Sequence, residues 1–356
     1  MAESKASVYF PGLNSLRFIA AFLVLVSHVE QFKGFWGYTN YYSHQAIHQI
    51  GDLAVTFFFV LSGFLITYLL FKEREQTRDI SIRKFYVRRV LRIWPLYYLL
   101  VISCLYLLPQ LDFLYPLGLK NEVYEAFWAK NVLYFLFLPQ VVLFSLPRVL
   151  YLEPSWSIGV EEHFYLMWPV LVKYFRDFIR LMFVLLIIIY GLRAFGTFGI
   201  RWFDGGPMYE ISLFIQQFFY FTRFQLMVIG GIGAYILFNN ISGLLIFIYS
   251  KYTQWFAYLV LLICLFSGFE IKWVNHEFYG IFFLIVILNI ASNKDSILKL
   301  EIRVFDYLGR ISYGIYMYHE IAIGISIYLL SRVGLSYDDF FHLFPCTSLV
   351  LLSRSL

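Results

Sequence analysis

Arg17 and His28 stand eleven positions apart in S-L-R-F-I-A-A-F-L-V-L-V-S-H, and every residue between them except Ser27 is apolar. A helical step of roughly 100° per residue brings both side chains within about 20° of one direction, and a rise of about 1.5 Å separates them by about 16 Å. Asn14 falls on the same face. A charge near a bilayer centre costs about 2.5–3.5 kcal/mol on insertion scales, so this polar edge calls for partners or a task. A lone arginine can snorkel to headgroups, and a lone histidine can bond a neighbouring helix. Together on one edge they suit proton transfer beside a fixed cation, because an imidazole titrates near pH ~6.5.

Three further clusters carry chemistry. In R-R-V-L-R-I-W-P-L-Y-Y, Arg89 and Arg92 are three residues apart and share a helical face, with Arg88 alongside. Two guanidiniums on one face form a clamp suited to phosphates, although a basic run at a membrane edge also anchors to lipid headgroups. P-S-W-S-I-G-V-E-E-H-F-Y-L-M-W-P places Glu161 and Glu162 about 100° apart at the start of an apolar helix, with His163 beside them. One carboxylate could hold an imidazole or pair with an arginine while the other stays protonated. In Y-L-G-R-I-S-Y-G-I-Y-M-Y-H-E, Tyr313, Tyr316 and His319 form an aromatic stripe ending in an imidazole. Cys104, Cys264 and Cys346 lie far apart and make neither a disulfide framework nor a metal motif. No metal site is expected.

The elements that must position these groups are membrane helices. The chain is 60% hydrophobic, 22% aromatic and only 14% charged, where soluble domains carry about 25% charged residues. Apolar windows of about 20 residues, enough to cross about 30 Å of hydrocarbon, recur throughout. The reading is an all-α polytopic membrane protein, a single integral-membrane domain over residues 1–356. Spans are expected at 12–32, 51–71, 87–108, 156–175, 178–198, 213–238, 254–269, 277–292 and 307–330. A short run at 343–352 reads as a clipped tenth helix. The segment 125–146 is interrupted by Lys130, Asn131, Pro139 and Gln140. Basic links after the second span, around Arg176 and around Arg303 can all face the cytoplasm only if 125–146 does not cross. That choice puts the N-terminus inside. The net charge of +5 is distributed as membrane-topology signals, so membrane lipids are expected partners and nucleic acid is not.

Five of these stretches resemble, in order and spacing, the membrane-bound acyltransferase-3 family. They are S-L-R-F-I-A-A-F-L-V-L-V-S-H, F-F-V-L-S-G-F-L-I-T, R-R-V-L-R-I-W-P-L-Y-Y, W-S-I-G-V-E-E-H-F-Y-L-M-W-P and L-G-R-I-S-Y-G-I-Y-M-Y-H. The resemblance runs from Leu13 to about His319. It implies a bundle of about ten spans in a bacterial inner membrane. It also implies transfer of an acyl group, often acetyl, from cytoplasmic acyl-coenzyme A to a hydroxyl of an envelope or exported glycan. The acceptor would be exopolysaccharide, O-antigen, peptidoglycan or a small glycoside, free or lipid-linked. Acyl-CoA would be a co-substrate, with no permanently bound cofactor.

The family's arginine–histidine pair corresponds to Arg17 and His28, its paired arginines to Arg89 and Arg92, and its Glu-Glu to Glu161 and Glu162. On this reading Arg89 and Arg92, with Arg17, hold the donor's phosphates. His28 is the general base, with Glu161 or Glu162 orienting it. Arg17 alternatively stabilises the oxyanion, a role worth about 3–4 kcal/mol in other enzymes. Trp156, Tyr316 and His319 are expected to bind substrate. Direct transfer is expected over an acyl-enzyme, since no Ser or Cys stands in a nucleophile motif. The chain departs from the family at Thr56, where an acid is usual and Asp52 is a candidate substitute, at His163 for Gln, and at R-F-Q (Arg223–Gln225). A transporter or flippase of a lipid-linked or acylated glycan, or an inactive scaffold, is the competing reading.

Overall fold

A computed structural model describes residues 10–116 and 118–333. Fifteen helices follow in order: α1 (Leu13–Phe35), α2 (Gln45–Thr77), α3 (Ile82–Ile102), α4 (Leu119–Tyr124), α5 (Phe127–Phe135), α6 (Pro139–Ser145), α7 (Ser155–Tyr174), α8 (Phe178–Trp202), α9 (Gly206–Thr222), α10 (Phe224–Phe238), α11 (Ser242–Tyr249), α12 (Lys251–Ser267), α13 (Asn275–Ser292), α14 (Arg303–Arg310) and α15 (Ser312–Arg332). Short π and 3₁₀ turns extend α3 to Leu114. No strand occurs among the described residues.

Among the described residues, five helices have the length and composition to cross a bilayer: α1, α2, α3 with its extension to Gln110, α8 and α13. Counting the bent pairs α9–α10 and α11–α12 as one crossing each gives seven. The expected number of about ten is therefore larger than the helices alone support. α7 and α15 occupy the spans expected at 156–175 and 307–330, and at 20 and 21 residues each is about 30 Å long. Their apolar character is diluted by the ionisable groups that make them interesting. The run at 343–352 lies outside the described residues.

Two irregularities have identifiable causes. The span expected at 213–238 is instead broken at Arg223, which takes a left-handed φ of 44° and bends the axis by 41°. Its guanidinium is drawn inward, donating to Asp52 Oδ1 at 2.6 Å and lying 5.4 Å over the Trp156 ring. The stretch 125–146 holds only α5 and α6, of nine and seven residues, each too short for about 30 Å of hydrocarbon. Phe137 at φ 58° and Pro139 at the start of α6 separate them. Lys130 is fully buried, with its ammonium on the Glu122 carbonyl.

The exterior is apolar and many ions are inside, the reverse of a soluble protein. α8 presents Phe183, Ile187 and Ile188 outward, and α12 presents Trp255, Phe256, Leu259 and Ile263. The chain is an integral membrane protein whose lipid contacts are these faces. Inside, α2 runs against α10 so closely that a Cβ at Gly63 would strike the Met227 backbone, and one at Gly230 the Val60 carbonyl. Gly63→Ala is therefore expected to destabilise the protein by about 1–3 kcal/mol through overpacking. Thermal unfolding in detergent checks it, and an unchanged midpoint would contradict the contact.

Candidate active site

A cavity of about 370 Å³ opens among α1, α2, α3, α7 and α15. Its walls are largely apolar (Leu13, Phe58, Phe59, Leu61, Leu65 and Ile66), with Arg17, Arg89 and Arg92 set into them. Arg17 and Arg89 are half-buried and Arg92 is exposed. Arg17 and Arg89 are held without being neutralised. Arg17 donates to Asn14 Oδ1 at 3.1 Å, and Asn14 donates in turn to Asp306 Oδ1 at 2.9 Å. The amide of Asn14 and the guanidinium of Arg310 keep the Asp306 carboxyl below the usual range, so α14 braces the N-terminal end of α1. Arg89 lies 5.4 Å over the Phe85 ring and 5.1 Å over Tyr165. Among the described residues no carboxylate comes within salt-bridge distance of these three guanidiniums.

Glu161 is the cavity's carboxylate. Its Oε2 accepts from Tyr165 at 2.6 Å, and the Tyr165 oxygen accepts from Ser62 at 2.7 Å. The Tyr165 proton is committed to the carboxylate, so the Ser62 hydroxyl must be the donor in the second contact. Three cations against one carboxylate leave the cavity positive, which suits an anionic ligand with an apolar arm. Glu162, one residue on and turned by about 100°, faces α3 instead and accepts from Trp94 Nε1 at 3.0 Å.

The far wall is Tyr316, whose hydroxyl lies 2.8 Å from Ser157 Oγ. Ser157 donates to the Pro154 carbonyl, so Tyr316 is the donor in that contact. One turn beyond, His319 and His28 meet, His28 Nδ1 lying 2.7 Å from His319 Nε2. His319 Nδ1 lies 2.6 Å from the Tyr316 carbonyl, which only accepts and so fixes the proton on Nδ1. The other nitrogen of a neutral His319 is then an acceptor, and His28 Nδ1–H donates to it. This leaves His28 Nε2 with its lone pair free. The His28 side chain is 20% exposed, and its Nε2 faces Glu320 Oε1 at 3.8 Å.

The expected partners of His28 are thus replaced. Neither Glu161 nor Glu162 touches it, because their carboxylates are taken by Tyr165 and Trp94. The groups that reach it come from α15. Of the residues expected to bind substrate, Tyr316 lines the cavity and His319 lies behind it. Trp156 does neither, packing on Phe59 and Phe221 under the Arg223 guanidinium. Asp52 is paired with Arg223, while Thr56 Oγ1 donates to the Asp52 carbonyl and accepts from His276 Nδ1 at 3.0 Å. His163 Nδ1 accepts from Gln140 at 3.3 Å.

A family profile described as an acyltransferase domain matches residues 10–353. The chain belongs to this acyltransferase family. It is 28% identical over 330 residues to the O-acetyltransferase OatA of Staphylococcus aureus, covering 87% of this chain and 50% of that protein. It is 26% identical over 329 residues to the peptidoglycan O-acetyltransferase OatA of Listeria monocytogenes, covering 87% of this chain and 49% of that protein. The chain spans about half the length of these curated relatives. No solved structure matches it.

Within this acyltransferase domain, several groups at the site escaped sequence reasoning. Tyr165 lies four residues after Glu161, a spacing that puts the two on one helical face, and that signal was available. Ser62 and Ser157 carried none, since a serine in an apolar helix commonly bonds its own backbone. Glu320 adjoins His319 in sequence, yet only the packing of α15 against α1 turns it towards His28.

Proposed function

We propose that this chain transfers an acyl group, acetyl by preference, from acyl-coenzyme A to a hydroxyl of a cell-surface or exported carbohydrate. The observation that carries the reading is a cavity with three unneutralised guanidiniums at its walls and a histidine pair immediately behind its far wall. The phosphates of the donor bind Arg89 and Arg92, with Arg17 deeper in, through charge-assisted hydrogen bonds. The pantetheine arm follows the apolar wall towards Tyr316, covering about the 16 Å that separate Arg17 from His28 along α1. His28 Nε2 takes the acceptor's proton as its oxygen attacks the thioester carbonyl. The carbon–sulfur bond then breaks, and the thiolate leaves with that proton. Glu161, held by Tyr165, balances the guanidiniums beside the arm.

Sidedness follows from charge. The basic link between α2 and α3, which leads directly into Arg89 and Arg92, belongs to the cytoplasmic side of a bacterial inner membrane, where acyl-CoA is available. The N-terminus lies on that side and the His28 end of α1 faces outward. Names of the relatives favour a glycan acceptor and an acetyl group. Sealed inverted vesicles given radiolabelled acetyl-CoA test the reading. Alkali-labile label in carbohydrate is the expected result. Transport of a glycan without ester formation would replace it with the transporter reading.

A further inference from the structure

Glu320 is fully buried, and neither of its carboxyl oxygens has a hydrogen-bond partner among the described residues. Its Oε1 lies 3.8 Å from His28 Nε2, beyond hydrogen-bond reach. That nitrogen is the one left free once the Tyr316 carbonyl sets the tautomer of His319 and His319 sets that of His28. Buried carboxyl oxygens without partners are rare, because desolvating them without compensation costs free energy. Here one of the two unfilled oxygens, Oε1, and the unfilled base nitrogen stand 3.8 Å apart.

We propose that Glu320 binds the acceptor. The reacting hydroxyl donates to His28 Nε2, while the hydroxyl on the adjacent carbon bonds a Glu320 oxygen, so the acceptor is a vicinal diol of a sugar ring. Hydroxyls on adjacent carbons stand about one hydrogen-bond length apart, and two such bonds diverging from them reach atoms 3.8 Å apart. Because the second hydroxyl meets an otherwise orphaned buried group, an acceptor lacking it leaves that group unpaired, the situation in which a site discriminates most strongly. This inference rests on His28 being the base. Bond making and breaking are those given for acyl transfer, with Glu320 acting only through the neighbouring hydroxyl.

The test uses the full chain in lipid vesicles with radiolabelled acetyl-CoA. Acceptors are a methyl hexopyranoside and the monodeoxy analogue lacking the hydroxyl next to the acylated one, the acylated position being located by NMR. Loss of that hydroxyl is expected to lower the wild-type kcat/KM by about 100-fold. Glu320→Leu is expected to transfer to both acceptors at the same low rate, with an unchanged KM for acetyl-CoA. Its thermal midpoint should not fall, since an unpartnered polar group is exchanged for an apolar one of similar volume. The proposal is overturned if the Leu variant keeps the diol preference, or if the wild type labels envelope glycan but neither glycoside. It is also overturned if chelation abolishes wild-type transfer and zinc restores it, which would make Glu320 a metal ligand with His28 and His319. Failure of the base reading is separable: it shows as undiminished transfer by His28→Ala, whatever the acceptor preference.

Discussion

Replacing His28 by alanine is expected to lower acyl transfer by about 10²–10⁴-fold, the range supplied by a positioned general base. The fall should appear in kcat with little change in the KM for acyl-CoA. On the proposed reading the donor's anionic end binds about 16 Å away along α1, and the cavity walls that include Arg17 do not include His28. Folding should survive. The substitution removes one hydrogen bond and leaves His319 Nε2 without its donor, at a cost of about 1–3 kcal/mol. A detergent melting curve measured alongside the kinetics separates this from loss of chemistry. Added imidazole should restore part of the rate, because the side chain is 20% exposed and its removal vacates the base position. A variant that folds and keeps most of the wild-type kcat would remove His28 from the mechanism.

Arg89→Ala and Arg92→Ala should act on the other half of the reaction. A hydrogen bond to a charged group contributes about 1.5–3 kcal/mol, so each substitution is expected to raise the KM for acyl-CoA by about 10- to 150-fold. At saturating donor kcat should change little. Arg89 is the more demanding position, being half-buried and stacked on Phe85 and Tyr165. Arg89→Lys should therefore recover little, since an ammonium neither stacks as a plane nor bonds phosphate in two directions. Arg92 is exposed, so its contribution should weaken more as salt is raised. An unchanged KM with a reduced kcat would mean that the arginines act on the transition state and not on the donor's phosphates.

Both predictions draw on features that differ in how far the chain alone reveals them. The polar edge of α1 was legible because Asn14, Arg17 and His28 belong to one helix, whose periodicity fixes their common direction. The shared face of Arg89 and Arg92 and the divergence of Glu161 from Glu162 were legible for the same reason. Non-crossing of 125–146 was argued from the placement of the basic links on one side of the membrane, and the two helices found there, of nine and seven residues, are each too short to cross hydrocarbon. The break at Arg223 was not legible, because its cause is a bond to Asp52, 171 positions away.

Composition and local spacing by themselves determined that this is a helical membrane protein with a cationic and a titratable group aligned on its first helix. Those properties depend on residue type and on the fixed geometry of a single helix. Tertiary structure alone decided that Glu161 serves the cavity and Glu162 does not. It also decided that His28 meets His319 across 291 positions and that Glu320 faces the free ring nitrogen. Such pairings depend on how distant helices pack and exclude water. In that environment a buried polar atom must find whichever partner the neighbouring helix presents, and no periodicity within one segment specifies which that will be.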